Sequence, residues 1–453
     1  MKTNIYIALA GFLMLVSCRK SSLERKPDQQ LVVPSTLNDF EALLNNTTTV
    51  FGVNYLTSAE ISAADYDITD DDYNALSSAR TRNLYAWKPD IYEGSQNVPE
   101  WDKPYQQVFY CNIVLDGLSA IDVNSQIKAA FDNVKGKALF NRGYAFYNLL
   151  QVFAPGYTSE AKNMPGIPLR VTADINVKTT RASLEASYMQ AIADLKVSLD
   201  LLPEKQPYLT QPSKAAAAAL LAKMYLTIGN YQAAEEFADR ALAMSPVLLD
   251  LNHINVVAAF PFDLMNNETL FFRGIPADAT FNAPMCKIRS SLYEQYQEGD
   301  LRKQAFFQKN PDQTVSFKGN YTGSRGLFTG LAWDEVYLIK AEAAARNKDS
   351  EAAMRALNTL LKTRWETGKF TEYQIDDPDE ALMIILKERR KELLMRGIRW
   401  SDLKRLNAHG GQQIILERTI NGRLQRLMPG DPKYNMPIPD QVIALTGISQ
   451  NER

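Results

Sequence analysis

Ser213 to Ser245 reads SKAAAAALLAKMYLTIGNYQAAEEFADRALAMS, and Pro246 follows it. Alanine and leucine dominate, so helix propensity is high throughout. Gly229-Asn230 interrupts the run, because glycine and asparagine tolerate the left-handed backbone that ends a helix. The stretch therefore predicts two helices joined by a tight turn. Leu221, Ala222, Tyr225, Gly229, Tyr231, Ala234, Ala238 and Ala241 recur at set places along them. The alanines let two antiparallel helices approach closely, and the tyrosines and leucines fill the gaps around them.

This spacing resembles the tetratricopeptide repeat. A second copy runs from Trp333 to Lys362, with Leu338, Ala341, Ala344, Ala353, Leu357 and Leu360 at similar places and a turn at Asn347-Lys348-Asp349. Helical periodicity also marks Ile127–Phe153, with an aromatic stripe read as core, and Ser183–Leu202. Asp377-Pro378 opens a further helix that runs to Arg396. Between the helices lie long polar stretches, and loops of such length either serve a function or hold short elements of their own. The expected fold is mainly α: a tetratricopeptide-like helical scaffold decorated by long irregular loops with a few short strands. The scaffold is placed at about 35–46, 98–153, 183–245 and 331–396, and the loop-rich parts at about 47–97, 246–330 and 397–453.

Working outward to the N-terminus, Met1-Lys2 precedes a small and apolar run from Ile5 to Val16, then Ser17-Cys18. A short basic start, about a dozen apolar residues and a small residue before the cut describe a secretory signal over residues 1–17. The run is shorter than the roughly 20 residues a membrane span needs. Cysteine at the cut resembles a lipobox, which makes Cys18 the lipidation site and the start of a single mature domain, 18–453. Ordinary secretion, with Cys18 incidental, is the alternative.

The 453 residues carry a formal net charge of -2 and no basic run suited to nucleic acid. Once Cys18 is lipidated, Cys111 and Cys286 remain, and both read as buried small hydrophobes, with a disulfide between them the alternative. His253 and His409 are the only histidines, which argues against a His-rich zinc site or a Ser-His-Asp centre. Asp65 to Asp72 alternates oxygen ligands but lacks the central glycine and closing glutamate of an EF-hand, so it reads as a solvated acidic loop. No cofactor or metal is expected.

Glu388-Arg389-Arg390-Lys391-Glu392-Leu393 leads to Gly397-Ile398-Arg399-Trp400-Ser401-Asp402-Leu403-Lys404-Arg405. Bottom-up, these charges read as an ion-pair network that pins a helix to the segment after it. The same residues resemble the signature of the SusD/RagB family. Pro437-Ile438-Pro439 with Gln450-Asn451 is similar to its tail. Trp101, Tyr105, Asn112 and Leu115 resemble one of its helices, and Arg142, Tyr144 and Tyr147 through Phe153-Gly156 another. Two departures are Arg396, where the family has Glu, and Arg19-Lys20 after the cysteine, where some surface lipoproteins carry acids.

The resemblance implies an outer-membrane lipoprotein facing the cell exterior, without catalytic activity, that binds a nutrient as the lid of a SusC-like TonB-dependent transporter. Oligosaccharides are the commonest ligands it implies, and peptides an alternative; an envelope assembly scaffold built on the repeats is a second, and a secreted hydrolase a third. Sugars offer apolar ring faces and hydroxyl edges, which aromatic plates and planar polar groups bind. The candidate ligand residues are accordingly Tyr66, Tyr73, Arg82, Tyr85, Trp87 and Tyr92 in the first long loop. Phe281 and Tyr321, with Phe317 and Arg325, are the candidates of the later loops.

Overall fold

The computed structural model describes residues 34–95, 97–409 and 412–453. Cys18 and the signal segment lie outside them. Eight long helices form the scaffold: α1 (Pro99–Leu118), α2 (Lys128–Phe153), α3 (Leu184–Leu201), α4 (Lys214–Thr227), α5 (Tyr231–Leu242), α6 (Trp333–Arg346), α7 (Ser350–Lys362) and α8 (Pro378–Glu392). Each packs mainly on its chain neighbours, α1 on α2, α2 on α3, and so on to α6, which holds both α7 and α8. No helix among the described residues is long and apolar enough to cross a membrane.

The residues that punctuate the sequence set the helix ends. The side chains of Ser183, Ser213, Asn230 and Asp349 each accept a hydrogen bond from a backbone N–H in the first turn of α3, α4, α5 and α7. Asp377 caps α8 through the amides of Asp379 and Glu380, with Pro378 in the first turn. Gly229 takes φ 76° and closes α4. Alanines of α4 and α5 are buried against each other, and Tyr225 stacks on Phe237 at 5.4 Å. α8 stops at Glu392, four residues short of the expected end, because Met395 and Gly397 adopt positive φ.

The stretches expected as loops hold more regular structure than their composition suggested. The first carries short helices at Thr57–Ser62, Asp70–Ala75 and Ala79–Tyr85. The last carries α9 (Arg399–His409), a hairpin of Leu416–Ile420 with Arg423–Leu427, and a helix at Asp440–Thr446. α9 has no clean apolar stripe; its charged side chains are buried instead. Arg389 of α8 binds Asp402 at 2.9 Å, and Arg405 binds Asp402 at 2.8 Å and Glu342 of α6 at 2.6 Å.

This network extends to the middle of the chain. Arg302 meets Glu388 at 2.6 Å and Glu392 at 2.9 Å, and Arg364 meets Glu392 at 2.7 Å and Glu268 at 2.6 Å. Arg396, the departure from the family pattern, binds Asp334 at 3.0 Å and covers the rings of Tyr321 and Phe328. The acidic stretch after Asp65 disperses: Asp65 pairs with Arg390, Asp67 with Arg289, and Thr69 caps the helix that Asp70 begins. Cys111 and Cys286 are buried, unpaired and in separate apolar clusters.

Candidate functional site

Two short antiparallel pairings build the ground on which a cavity forms. Tyr66–Asp67 pairs with Lys287–Ile288, which ties the first loop to the third quarter of the chain. Phe307–Lys309 pairs with Val315–Phe317 around the Asn310-Pro311-Asp312-Gln313 turn, where Gln313 takes φ 67°. Phe281 and Phe317, from the two sides, line a cavity of about 420 Å³ with Phe260 and Leu327. Its polar lining comes from Asn282, Gln308, Lys309, Asn310, Lys318, Asn320 and Arg325.

The phenyl rings are held from behind. Tyr66 meets Phe281 edge-on at 6.5 Å, and Phe306 meets Phe317 edge-on at 5.8 Å. The Lys318 ammonium donates to the carbonyl oxygens of Val256 at 3.1 Å and Ala258 at 2.6 Å, and burial pulls its pKa below the ordinary lysine value. The Asn320 Oδ1 is buried with no hydrogen-bond partner among the described residues. Lys309 also lines a neighbouring hollow of about 550 Å³, together with Lys287, Arg289 and Lys303. Aromatic faces beside an unpartnered amide oxygen, one anchored ammonium and two exposed cations can hold a polyhydroxylated ring, the faces against its C–H side and the polar groups against its edge.

The residues singled out in the sequence divide between this cavity and the core. Phe281, Phe317 and Arg325 line the cavity. Tyr66, Tyr85, Trp87 and Tyr92 are 0%, 1%, 3% and 8% exposed, so their ring faces meet protein and not solvent. Three of them surround the Arg418 guanidinium, which lies 3.8 Å from the Tyr85 ring centre, 4.8 Å from Trp87 and 5.7 Å from Tyr66. Arg418 in turn donates to the carbonyl oxygens of Tyr85, Ile61 and Ala63. The Trp87 indole donates to Ser62 O at 3.0 Å, and the Tyr92 hydroxyl donates to Pro437 O at 3.0 Å. Tyr73 is partly buried against Tyr85, and Arg82 reaches back to the Leu76 carbonyl. Tyr321 is buried beneath the cavity between Phe262 and Phe328. Phe260, Lys309, Lys318 and Asn320 escaped the sequence reading, although the Pro311-Asp312 turn between two short apolar runs is a hairpin signal that points to Lys309.

The fold and cavity define a helical scaffold protein whose loops build an aromatic-lined hollow. Residues 22–226 match a family model described as starch-binding associating with outer membrane, and residues 308–452 match the model of the SusD family. The SusD-like protein P2 of Formosa agariphila is 25% identical over 373 residues, 68% of this chain and 71% of that protein. Among solved structures, a SusD superfamily protein from Bacteroides thetaiotaomicron aligns with a TM-score of 0.74 at 22% identity, over 92% of this chain and 100% of that one. A SusD-like carbohydrate binding protein from Bacteroides vulgatus aligns with a TM-score of 0.71 at 19% identity, over 91% and 97%. The chain belongs to the SusD/RagB family.

Proposed function

We propose that this chain is a surface lipoprotein, anchored in the outer membrane through Cys18, that binds an oligosaccharide without turning it over and delivers it to a SusC-like TonB-dependent transporter. The observation that carries this reading is the cavity, where three phenyl rings stand beside an unpartnered amide oxygen and three basic side chains. The family models support it, one of them described as starch-binding, and so does the occurrence of the same fold in a SusD-like carbohydrate binding protein. The first-loop aromatics serve as foundation in this reading, with Tyr66 backing Phe281.

The test is glycan binding to the detergent-solubilised lipoprotein, with chromatography to check that the glycan survives. Phe281→Ala and Phe317→Ala are each expected to weaken binding about tenfold, the loss of one stacked ring. Tyr85→Ala and Trp87→Ala should lower thermal stability. Unchanged affinity in both phenylalanine variants would place the ligand elsewhere, and a cleaved glycan would end the non-catalytic reading.

A further inference from the structure

The charge of the cavity narrows its ligand. Its charged lining residues are Lys309, Lys318 and Arg325, all basic, although the whole chain is slightly acidic at -2. Among the described residues none of the three is paired with a carboxylate. Lys318 is the sharpest case, because it is 7% exposed and its ammonium has two carbonyl oxygens and no anion. An ammonium has three protons to donate, and a buried cation without a counter-charge is costly. Asn320, 6% exposed, asks for the opposite partner: its orphan Oδ1 needs a donor.

The positive character continues next door. In the adjoining hollow Asp67 is held by Arg289 at 2.8 Å, and Asp312 is held by Lys287. That leaves Lys303 and Lys309 without carboxylate partners among the described residues, with the Lys303 ammonium 5.1 Å from the Tyr293 ring centre. Cations without carboxylate partners among the described residues thus line both hollows, with Lys309 common to the two.

We infer that the cavity takes an acidic oligosaccharide, one whose rings carry carboxylate or sulfate groups. The anion supplies the counter-charge that Lys309, Lys318 and Arg325 lack, a ring hydroxyl donates to Asn320, and the C–H face lies on Phe281 and Phe317. A neutral glycan would satisfy Asn320 and leave the cations unmatched. This inference rests on reading the cavity as the ligand site.

The experiment is calorimetric titration of the detergent-solubilised full-length lipoprotein with size-matched neutral, uronate and sulfated oligosaccharides. At least one acidic probe should bind about tenfold or more tighter than the neutral one, and its affinity should fall as salt rises from about 50 to about 500 mM. The uronate and sulfate arms identify the anion. The exposed Lys309→Glu and Arg325→Glu changes should each weaken the acidic probe severalfold more than they weaken the neutral probe. Acidic binding that these reversals do not touch overturns the inference, as does a neutral probe that binds as well as both acidic ones, or the failure of both acidic probes to bind. If Phe281→Ala still weakens neutral binding about tenfold, the site stands and only the charge assignment fails. If Phe281→Ala and Phe317→Ala leave every affinity unchanged, the site itself is refuted.

Discussion

Glu60 shows how a single carboxyl can make this fold pH-dependent. It is buried in the helix Thr57–Ser62 and accepts a hydrogen bond from the Gly397 amide at 2.9 Å. Burial, helped by the Asp65 charge, raises its pKa from 4.5 to about 7. A carboxyl raised in the folded state binds its proton there more tightly than in the unfolded chain. Its favourable contribution is complete below about 4.5 and is lost as pH rises to about 7, a change of about 3 kcal/mol. Glu60→Gln keeps the shape and the acceptor but cannot ionise. Denaturant titrations across this range should therefore show the variant gaining on the parent chain as pH rises, with a plateau above about 7. A difference that does not vary with pH would mean that Glu60 never ionises within the fold.

At the scale of the element, the turn between α4 and α5 joins local conformation to a long-range contact. Gly229 has φ 76°, and a Cβ built there would sit 3.1 Å from the His409 ring of α9. Gly368 has φ 81° with nothing within 4 Å of its Cβ position. Gly368→Ala should cost about 1 kcal/mol, the left-handed penalty alone. Gly229→Ala should cost about 2 kcal/mol, and the excess should vanish in a His409→Ala background. Urea unfolding of the four variants checks this, and equal costs at both glycines would dismiss the His409 contact. The helical scaffold was legible because its determinants are local: alanine-rich runs, caps at Ser213 and Asp349, and breakers at Gly229 and Asp377-Pro378. The cavity was legible only in pieces. Tyr85 and Trp87 have the composition of ligand plates, and what buries them is Arg418, whose bond to the Tyr85 carbonyl spans 333 positions. α9 was missed for a related reason, since its burial rests on ion pairs with Arg389 and Glu342 and not on an apolar stripe.

Across the whole molecule, the buried ion network is what fixes the cavity-forming segment to the scaffold. Arg302 opens the short helix that leads into the Phe307–Phe317 hairpin, and its guanidinium is held by Glu388 and Glu392 of α8. The backbone follows the same route, with the Leu301 amide donating to Arg364 O at 2.9 Å. Glu392 also binds Arg364, so one carboxylate of α8 joins the hairpin side to the segment that follows α7. Glu392→Ala removes a partner shared by two buried guanidinium groups, leaving Arg302 to Asp300 and Glu388 and Arg364 to Glu268, and the loss of two charge-assisted hydrogen bonds is expected to cost about 3 kcal/mol. The loss should be directional. Hydrogen exchange should accelerate through the 300–327 segment and α8 before it does in α2 and α3, because opening follows the broken anchor. Phe281→Ala, which lines the cavity without holding it, should leave that exchange pattern close to the parent's. If Glu392→Ala lowers global stability while the hairpin amides keep their protection relative to α2, the network serves the scaffold alone, and the cavity owes its shape to the aromatic contacts behind Phe281 and Phe317.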